Sequence, residues 1–469
     1  MIVVPEGYIL IKELDYFKLK EDHEKLLKLV ATLMNRVAEL ESQLNKNSRN
    51  SSKPPSSNGL KKVIKNNRET SDKKPGGQTG HSGSTLKMVE CADKIILHKV
   101  KGTCICGESL GKFPVRSIHR RQVFNLPVKR IEVTEHKVET KQCSCGKIYE
   151  AKCKVGNHVQ YGSRFKAMMV YLNQYQFLPF ERLQELSKDC FGISVSDGVL
   201  EQNNSSCFEQ LEETELAIKN ALMNSPVIHN DETGIRCQSK TQWIHSASTT
   251  QYTHYNIHRK RGVEAINEIG ILKQYEGISV HDRWSSYDQY NCTHSFCNAH
   301  LLRHLKFLNE EMECHWAGQM KSLLIKANDY KKEDMLNEML IDKIENQYCK
   351  ILREGIAEQP PDPVPQKVKR GRKAKSKSAR LLDVFNQRSQ NVLMFIYNPD
   401  VPFDNDLAER DLSMVKLKQK ISGCFRSETG AKTFCRIRSY ISTVSKQGQS
   451  VMDAIQLAII NKPIAIWVG

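Results

Sequence analysis

The 469-residue chain has no uninterrupted apolar stretch long enough to cross a bilayer. Its most apolar segment, Ala454 to Val468, is short and broken by Asn461, Lys462 and Pro463. The start, Met1-Ile-Val-Val-Pro-Glu6, lacks the basic residues and cleavage site of a signal peptide, which predicts a cytoplasmic protein. Acids are in deficit. There are 53 against 70 lysines and arginines, a net charge of +17 and a pI near 9.1. With no membrane segment, that imbalance points to nucleic acid as the partner. No Ser-His-Asp order, phosphate-binding glycine loop or dinucleotide fingerprint is present, which removes the commonest competing chemistries. The 15 cysteines are an odd number in a chain without an export signal. They predict reduced thiols and metal ligation rather than a disulfide framework.

What is present begins with a heptad seam. Leu19, Leu26, Leu33 and Leu40 recur every seven residues, with Val30, Val37 and Leu44 four positions later. Leucine at d with mostly β-branched residues at a favours a parallel dimer, although His23 and Tyr16 weaken the early turns. A helix docked on its own domain is the other reading. Between Lys46 and Lys87 the composition shifts to Ser, Asn, Pro and Gly, with ten basic residues against Glu69 and Asp72. Such a segment buries too little apolar surface to order itself, so it reads as a basic linker.

Two matching knuckles follow, Cys104-Ile105-Cys106-Gly107 and Cys143-Ser144-Cys145-Gly146. A glycine after the second cysteine lets the chain turn so that both thiolates face one ion. Cys104, Cys106, Cys143 and Cys145 therefore predict a structural Zn²⁺ site, with Cys91, Cys153 or His158 as substitute ligands, and β-type runs around Ile131, Val133 and Val138 predict a zinc ribbon. Residues 162–222 read as helices, with a turn at Gly192 and an N-cap at Ser196 or Ser194. That pattern suits a DNA-reading helix-turn-helix and an ordinary packed pair equally.

Strands are predicted over Pro226–Asp231, Gln242–Ser248, Tyr252–His258, Gly277–Asp282 and His294–Asn298, with a helix over Glu264–Gln274. Three strands, a helix and a fourth strand, with acids ending the first and fourth, is the order of a ribonuclease H-like core. Cys297 and His300 open the next helix, where they either bind a metal or fix local packing. Residues 310–358 are helical and charged. Eight of the fourteen residues from Lys367 to Arg380 are basic, and Arg370-Gly371-Arg372 resembles the minor-groove core of an AT-hook without its proline. This stretch reads as a mobile phosphate-contacting loop.

The most informative stretch is Asn405–Ser427. At helical spacing Leu407, Ala408, Leu412, Met414, Val415, Leu417 and Ile421 form an apolar arc. Glu409, Ser413, Lys416 and Lys420 share a polar stripe. Alone, that stripe is a solvated face. Beside Asp231 and Asp282, Glu409 becomes a candidate third carboxylate for divalent-metal phosphodiester chemistry, which needs acids converging from separate elements.

Four segments resemble, in order, the motifs of insertion-sequence transposases of the IS-sixty-six type: His229-Asn-Asp231-Glu-Thr-Gly-Ile-Arg236, Val280-His-Asp282-Arg-Trp-Ser-Ser-Tyr287, Cys297-Asn-Ala-His300-Leu-Leu-Arg303 and Asn405–Ser427. The flanks agree: a leucine-zipper start, the Asn50-Ser-Ser-Lys-Pro-Pro-Ser-Ser-Asn58 linker, Gly76-Gly-Gln-Thr-Gly-His81 and paired cysteines. The resemblance implies a DDE transposase with Asp231, Asp282 and Glu409 as the Mg²⁺ (or Mn²⁺) triad. Glu232, Asp404, Asp406 and Asp411 are acids that the motif does not select. Lys416, Lys418, Lys420, Arg426, Arg370 and Arg372 become candidate DNA contacts. The cysteine pairs are shorter than the family's usual ones. The gap of 127 residues from Asp282 to Glu409 implies a helical insertion.

The expected organisation is a coiled coil at 1–45, a basic linker at 46–90 and a zinc-ribbon-like domain at 91–160. A helical domain at 161–224 precedes an α/β ribonuclease H-like catalytic domain at 225–427, with its insertion at about 310–390, and a helical segment at 428–469. The expected activity is cutting and joining of transposon ends and target DNA by a homodimer or higher oligomer in a bacterial, nucleoid-associated setting. Accessory proteins of the same element would be partners. The alternative is a non-catalytic DNA-binding repressor descended from such an element.

Overall fold

The computed structural model describes residues 13–44, 87–124, 131–153, 155, 157–359 and 375–466. The chain forms two compact units, a smaller one of residues 64–158 with 190–192 and a larger one of residues 1–63, 159–189 and 193–469. Arg370 and Arg372, like the linker from 46 to 86, lie outside the described residues.

In the smaller unit, β1 (Thr140–Gln142) and β2 (Ile148–Glu150) pair antiparallel. The Cys143 knuckle is their tip. Its Cys143 N–H donates to Lys147 O and Gly146 N–H to Cys143 O, both at 2.8 Å. The Cys104 knuckle repeats this: Cys104 N–H to Glu108 O and Gly107 N–H to Cys104 O, again at 2.8 Å. The bridge Thr103↔Ser109 matches Gln142↔Ile148 in register. Gly107 and Gly146 both take φ +89, which a side chain at Cβ would strain. Two turns 39 residues apart have thus been given one geometry. The predicted β runs around Val133 and Val138 are not strands. Both side chains are exposed, and pairing begins only at Thr140, where the knuckle brings two chain segments together.

The larger unit contains a five-stranded mixed sheet: β3 (Val227–Cys237), β4 (Lys240–Ser248), β5 (Thr253–His258), β6 (Ile278–His281) and β7 (Thr293–Phe296), in the order β5-β4-β3-β6-β7. β3, β4 and β5 form an antiparallel meander, and β6 and β7 run parallel to β3. Gln238 and Ser239, both at positive φ, make the two-residue turn that a twisted hairpin requires. The crossover from β5 to β6 carries the helix Val263–Ile269, shorter than predicted because Gly270 ends it in the left-handed conformation.

Period-two alternation divides β3 between two faces. Ile228 joins one apolar cluster with Ala247, Ile266 and Tyr287. Ile235 and Cys237 join another with Ile244, Tyr255, Leu412, Val415 and Phe434. The second face carries the helices Asp406–Ser422 and Glu428–Lys446. A third cluster joins Val280 and Phe296 to the helices Asn298–Met312, His315–Lys332, Glu338–Glu358, Lys377–Gln387 and Ser389–Tyr397, so the long segment between Asp282 and Glu409 has a packed core of its own. Lys377–Arg380, expected in a mobile loop, instead begins a helix. Ser378 is buried there and accepts from Trp316 Nε1 at 3.1 Å.

Ser196 caps the helix Asp197–Gln210. Cys207 and Leu211 share a core with Tyr440, Ile441, Ala454 and Ile455, so the helices before the sheet and those ending the chain are packed together. The helix Glu13–Leu44 is different. All its described heptad leucines and valines are at least 44% exposed, so the alternative of a helix docked on its own domain finds no support among the described side chains.

At the end of β6 a directional chain of hydrogen bonds holds the turn. His294 Nε2–H donates to Tyr290 O (3.0 Å), His281 Nε2–H to His294 Nδ1 (3.0 Å), and Arg283 N–H to His281 Nδ1 (3.1 Å). The pattern requires a neutral His281, and burial pushes it down to about 3. The unfolded chain takes up this proton below about pH 6.5, whereas the folded chain does so only near 3. Stability should therefore fall with acidification across that window, by up to about 1.4 kcal/mol per pH unit for this residue. Denaturant midpoints measured across pH should show a shallower slope for His281→Gln.

Candidate active site

Asp231 lies within β3, not at its end as predicted, because pairing with β4 continues past it through Asp231↔Ser246 to Cys237↔Lys240. What ends nearby is the parallel neighbour. The β3–β6 register closes at His229↔Val280, and the same offset two residues on sets Asp231 beside Asp282. Both acids are on the face that carries the helix Asp406–Ser422, as His229, Ile235 and Val280 are. Glu409 sits in the first turn of that helix. The three carboxylates sense one another. Asp231 is held well above the usual carboxylate range by burial and by the charges of Glu232, Asp282 and Glu409. Glu409 is raised by burial, and Asp282 adds to that rise.

The helix is fastened to the sheet by Asn405, 1% exposed. Its Oδ1 accepts from His229 Nδ1–H (2.8 Å), its Nδ2 donates to Asn230 O (2.9 Å), and its N–H donates to Cys297 Sγ (3.2 Å). Asn405 O then accepts Glu409 N–H, which starts the helical turn carrying the acid. Below that turn Leu412 and Val415 pack on Ile235, Ile244 and Tyr255. The apolar arc is narrower than predicted: Leu417 and Ile421 are exposed, since only one side of the helix meets the sheet.

Neighbouring acids are spent on structure. Glu232 points to the opposite face and is fully buried. Its Oε1 accepts from Arg261 Nη2 (2.6 Å) and Nε (2.8 Å), and its Oε2 accepts from Tyr287 O–H (2.6 Å). Asp411 Oδ2 accepts from Ser248, Thr253 and Lys446. Asp404 accepts Asp406 N–H. By contrast, among the described residues no side-chain donor bonds the carboxylate of Asp231 or Asp282. The Asp231 carboxylate accepts only Glu232 N–H, and the Asp282 carboxylate only Trp284 N–H. Glu409 Oε1 is buried without a hydrogen-bond partner, 3.6 Å from His300 Nδ1 and 4.0 Å from Arg303 Nη2. Crowded like charges with lone pairs to spare form a site short of positive charge, and an oxygen-ligated divalent cation fits that deficit.

The Transposase IS66 family matches residues 158–433, well over half the chain and all of this site. The chain belongs to the IS66 transposase family. Residues 5–87 match a family of unknown function, DUF6444. No curated protein matches the chain. Membership links the protein to transposition, and the matched span includes Asp231, Asp282 and Glu409 together with their supports.

The basic candidates divide. Lys420 and Arg426 are exposed. Lys416 donates to Gly234 O at 2.6 Å, and burial lowers it. Lys418 sits 3.6 Å from the Phe425 ring centroid, and burial pushes it down to about 8. Lys416 and Lys418 are thus engaged with the protein, whereas Lys420 and Arg426 face outward. Cys104, Cys106, Cys143 and Cys145 are exposed, and hydrogen bonds from the Cys106 and Cys145 N–H groups lower the Cys104 and Cys143 thiols. Among the described residues the four sulfurs do not gather into one metal-sized cluster. The set that does is Cys297, His300 and Glu409.

Sequence reasoning named the three acids but missed their fastening. His229 and Asn405 stood inside the quoted motifs, and a buried Asn opening a helix opposite a strand His was the available signal. Asn405→Ala should cost about 2–3 kcal/mol by leaving His229 and Asn230 unpaired, measurable by urea unfolding. Because folded Asp231 holds its proton more tightly than the unfolded chain does, the metal-free protein should lose stability as pH climbs above about 4. Asp231→Asn should therefore raise the metal-free melting temperature at neutral pH. Mg²⁺ at about 100 times its Kd should add about 2.7 kcal/mol to the parent and much less to this variant.

Proposed function

We propose that the protein is a DDE transposase that cuts insertion-sequence ends and joins them to target DNA. The observation that carries this reading is the electrostatic coupling of buried Asp231 to Asp282 at the neighbouring strand's end and to Glu409 on the helix over that sheet face, with Glu232 and Asp411 each bonded to a cationic partner. Support for a ribonuclease H-like core comes from the strand order β5-β4-β3-β6-β7, a three-strand meander followed by two parallel strands after a helical crossover.

Asp231, Asp282 and Glu409 would hold Mg²⁺ or Mn²⁺. Such ions supply positive charge to the attacking and leaving oxygens of a phosphodiester. The protein's own work is placement. Strand β3 holds Asp231, Asn405 sets the height of Glu409, and the histidine chain keeps the turn that carries Asp282 closed. In the first reaction a water oxygen attacks the phosphorus at the transposon end. The P–O3′ bond breaks, leaving a 3′-hydroxyl on the element. In the second, that hydroxyl attacks a target phosphodiester and displaces a target 3′-oxygen, without a covalent protein intermediate.

Lys420 and Arg426, exposed just beyond the acids, would contact DNA phosphates with Lys416 and Lys418 as structural neighbours, and Arg370 and Arg372 would add contacts from the basic segment. The matched knuckles are the basis for a Zn²⁺ site in the smaller unit, their identical turns being those that present two thiolates each. The uncovered heptad face of Glu13–Leu44 supports a homodimer or higher oligomer through a coiled coil. Among the described residues no helix is long and apolar enough to cross a membrane. A bacterial, nucleoid-associated setting with accessory proteins of the same element follows from this reading.

Cleavage of end-bearing DNA in Mg²⁺ tests it. Asp231→Asn, Asp282→Asn and Glu409→Gln should each slow strand cutting by about a hundredfold or more, roughly 2.7 kcal/mol of barrier, while still retarding the same DNA on a gel. Cutting by any of the three at the parental rate would remove that acid from the triad.

A further inference from the structure

We propose that Cys297, His300 and Glu409 form a second, softer metal site that takes Zn²⁺ and competes with the magnesium site for Glu409. The competition rests on the reading of Glu409 as a magnesium ligand; the zinc site itself rests on geometry alone. Cys297 precedes the helix Asn298–Met312, and His300 is one turn into it, so the sulfur and the imidazole lie on the same side of that helix start. Glu409 arrives from the helix Asp406–Ser422, set by Asn405, whose N–H bonds the same Cys297 sulfur. The three donor atoms lie within 4.8 Å of one another.

The two separations made by His300 suit one ion. Cys297 Sγ is 3.3 Å from His300 Nδ1, and that nitrogen is 3.6 Å from Glu409 Oε1. A tetrahedral zinc with bonds of about 2.3 Å to sulfur and about 2.0–2.2 Å to nitrogen and oxygen needs donor separations of roughly 3.3–3.6 Å. Glu409 Oε1 is also a buried oxygen with no hydrogen-bond partner, facing the imidazole edge. Sulfur and imidazole favour zinc over magnesium, whereas Asp231 and Asp282 offer only oxygen, so the two ions are sorted by donor type and share one carboxylate. A zinc ion seated on Cys297 and His300 draws Glu409 away from the two aspartates. Free zinc would then hold the enzyme inactive in the presence of magnesium.

The test uses the full chain, stripped with chelator and dialysed against buffered Zn²⁺, with zinc per chain read by mass spectrometry. Zinc held in the smaller unit is common to all samples. Cys297→Ser and His300→Gln should each bind one zinc fewer per chain than the parent. Equal zinc in the parent and both variants overturns the site. Melting curves identify a variant that fails to fold, in which case the other decides. In Mg²⁺-supported cleavage, the added equivalent of zinc should slow the parent about tenfold or more. The ratio of rates with and without zinc should stay near one for His300→Gln. A parental ratio near one overturns the competition. If no sample cuts DNA under any condition, the transposase reading falls, while the zinc count still decides the site.

Discussion

The side chain of Asn405 joins the two halves of the candidate active site. Asp231 is positioned by backbone pairing within β3, and Asp282 follows directly on the last residue of the neighbouring strand β6, in the turn that the histidine chain holds. Glu409 comes from a helix 127 residues further along and has no such constraint. Its position depends on a buried amide that reads one strand residue's ring and the next one's carbonyl, while its own N–H meets a cysteine sulfur on a third element. A short polar side chain with both a donor and an acceptor suits this task, because it can satisfy two neighbours of opposite kind within one buried volume. The apolar packing of Leu412 and Val415 holds the helix against the sheet, but packing alone would permit sliding by a turn. The directional bonds of Asn405 remove that freedom.

The electrostatics follow from the same arrangement. Folding brings several carboxylates into a buried region, which is costly unless each is compensated. Glu232 is compensated by Arg261, itself held between Trp243 and Trp284, and by Tyr287. Asp411 is compensated by Lys446 and two hydroxyls. Asp231 and Asp282 have no such cationic partner among the described residues, and Glu409 has only the distant Arg303, 4.0 Å away; burial and like charges raise both Asp231 and Glu409.

The smaller unit and the N-terminal helix show a different economy. Among the described residues neither buries a sizeable core: the knuckle cysteines and the heptad leucines are all exposed. Each has a regular local geometry, two superposable turns in one case and a seven-residue period in the other.

The family resemblance selected the three acids, while period and motif alone marked the mixed α/β region, the starts of its strands to within a few residues, the paired knuckles and the heptad seam. These are legible because they rest on short-range rules: alternation along a strand, spacing along a helix, and a glycine after a cysteine pair. The choice of Asp231 over Glu232 was carried by the family resemblance, and its physical reason is three-dimensional: adjacent strand residues face opposite sides, and only one side carries the helix Asp406–Ser422. Tertiary structure alone decided that Lys416 and Lys418 bond within the protein while Lys420 and Arg426 face outward, that Lys377–Arg380 starts a packed helix, and that Asn405 and Cys297 meet. Those outcomes depend on contacts between residues as many as 182 positions apart, and no local periodicity encodes them.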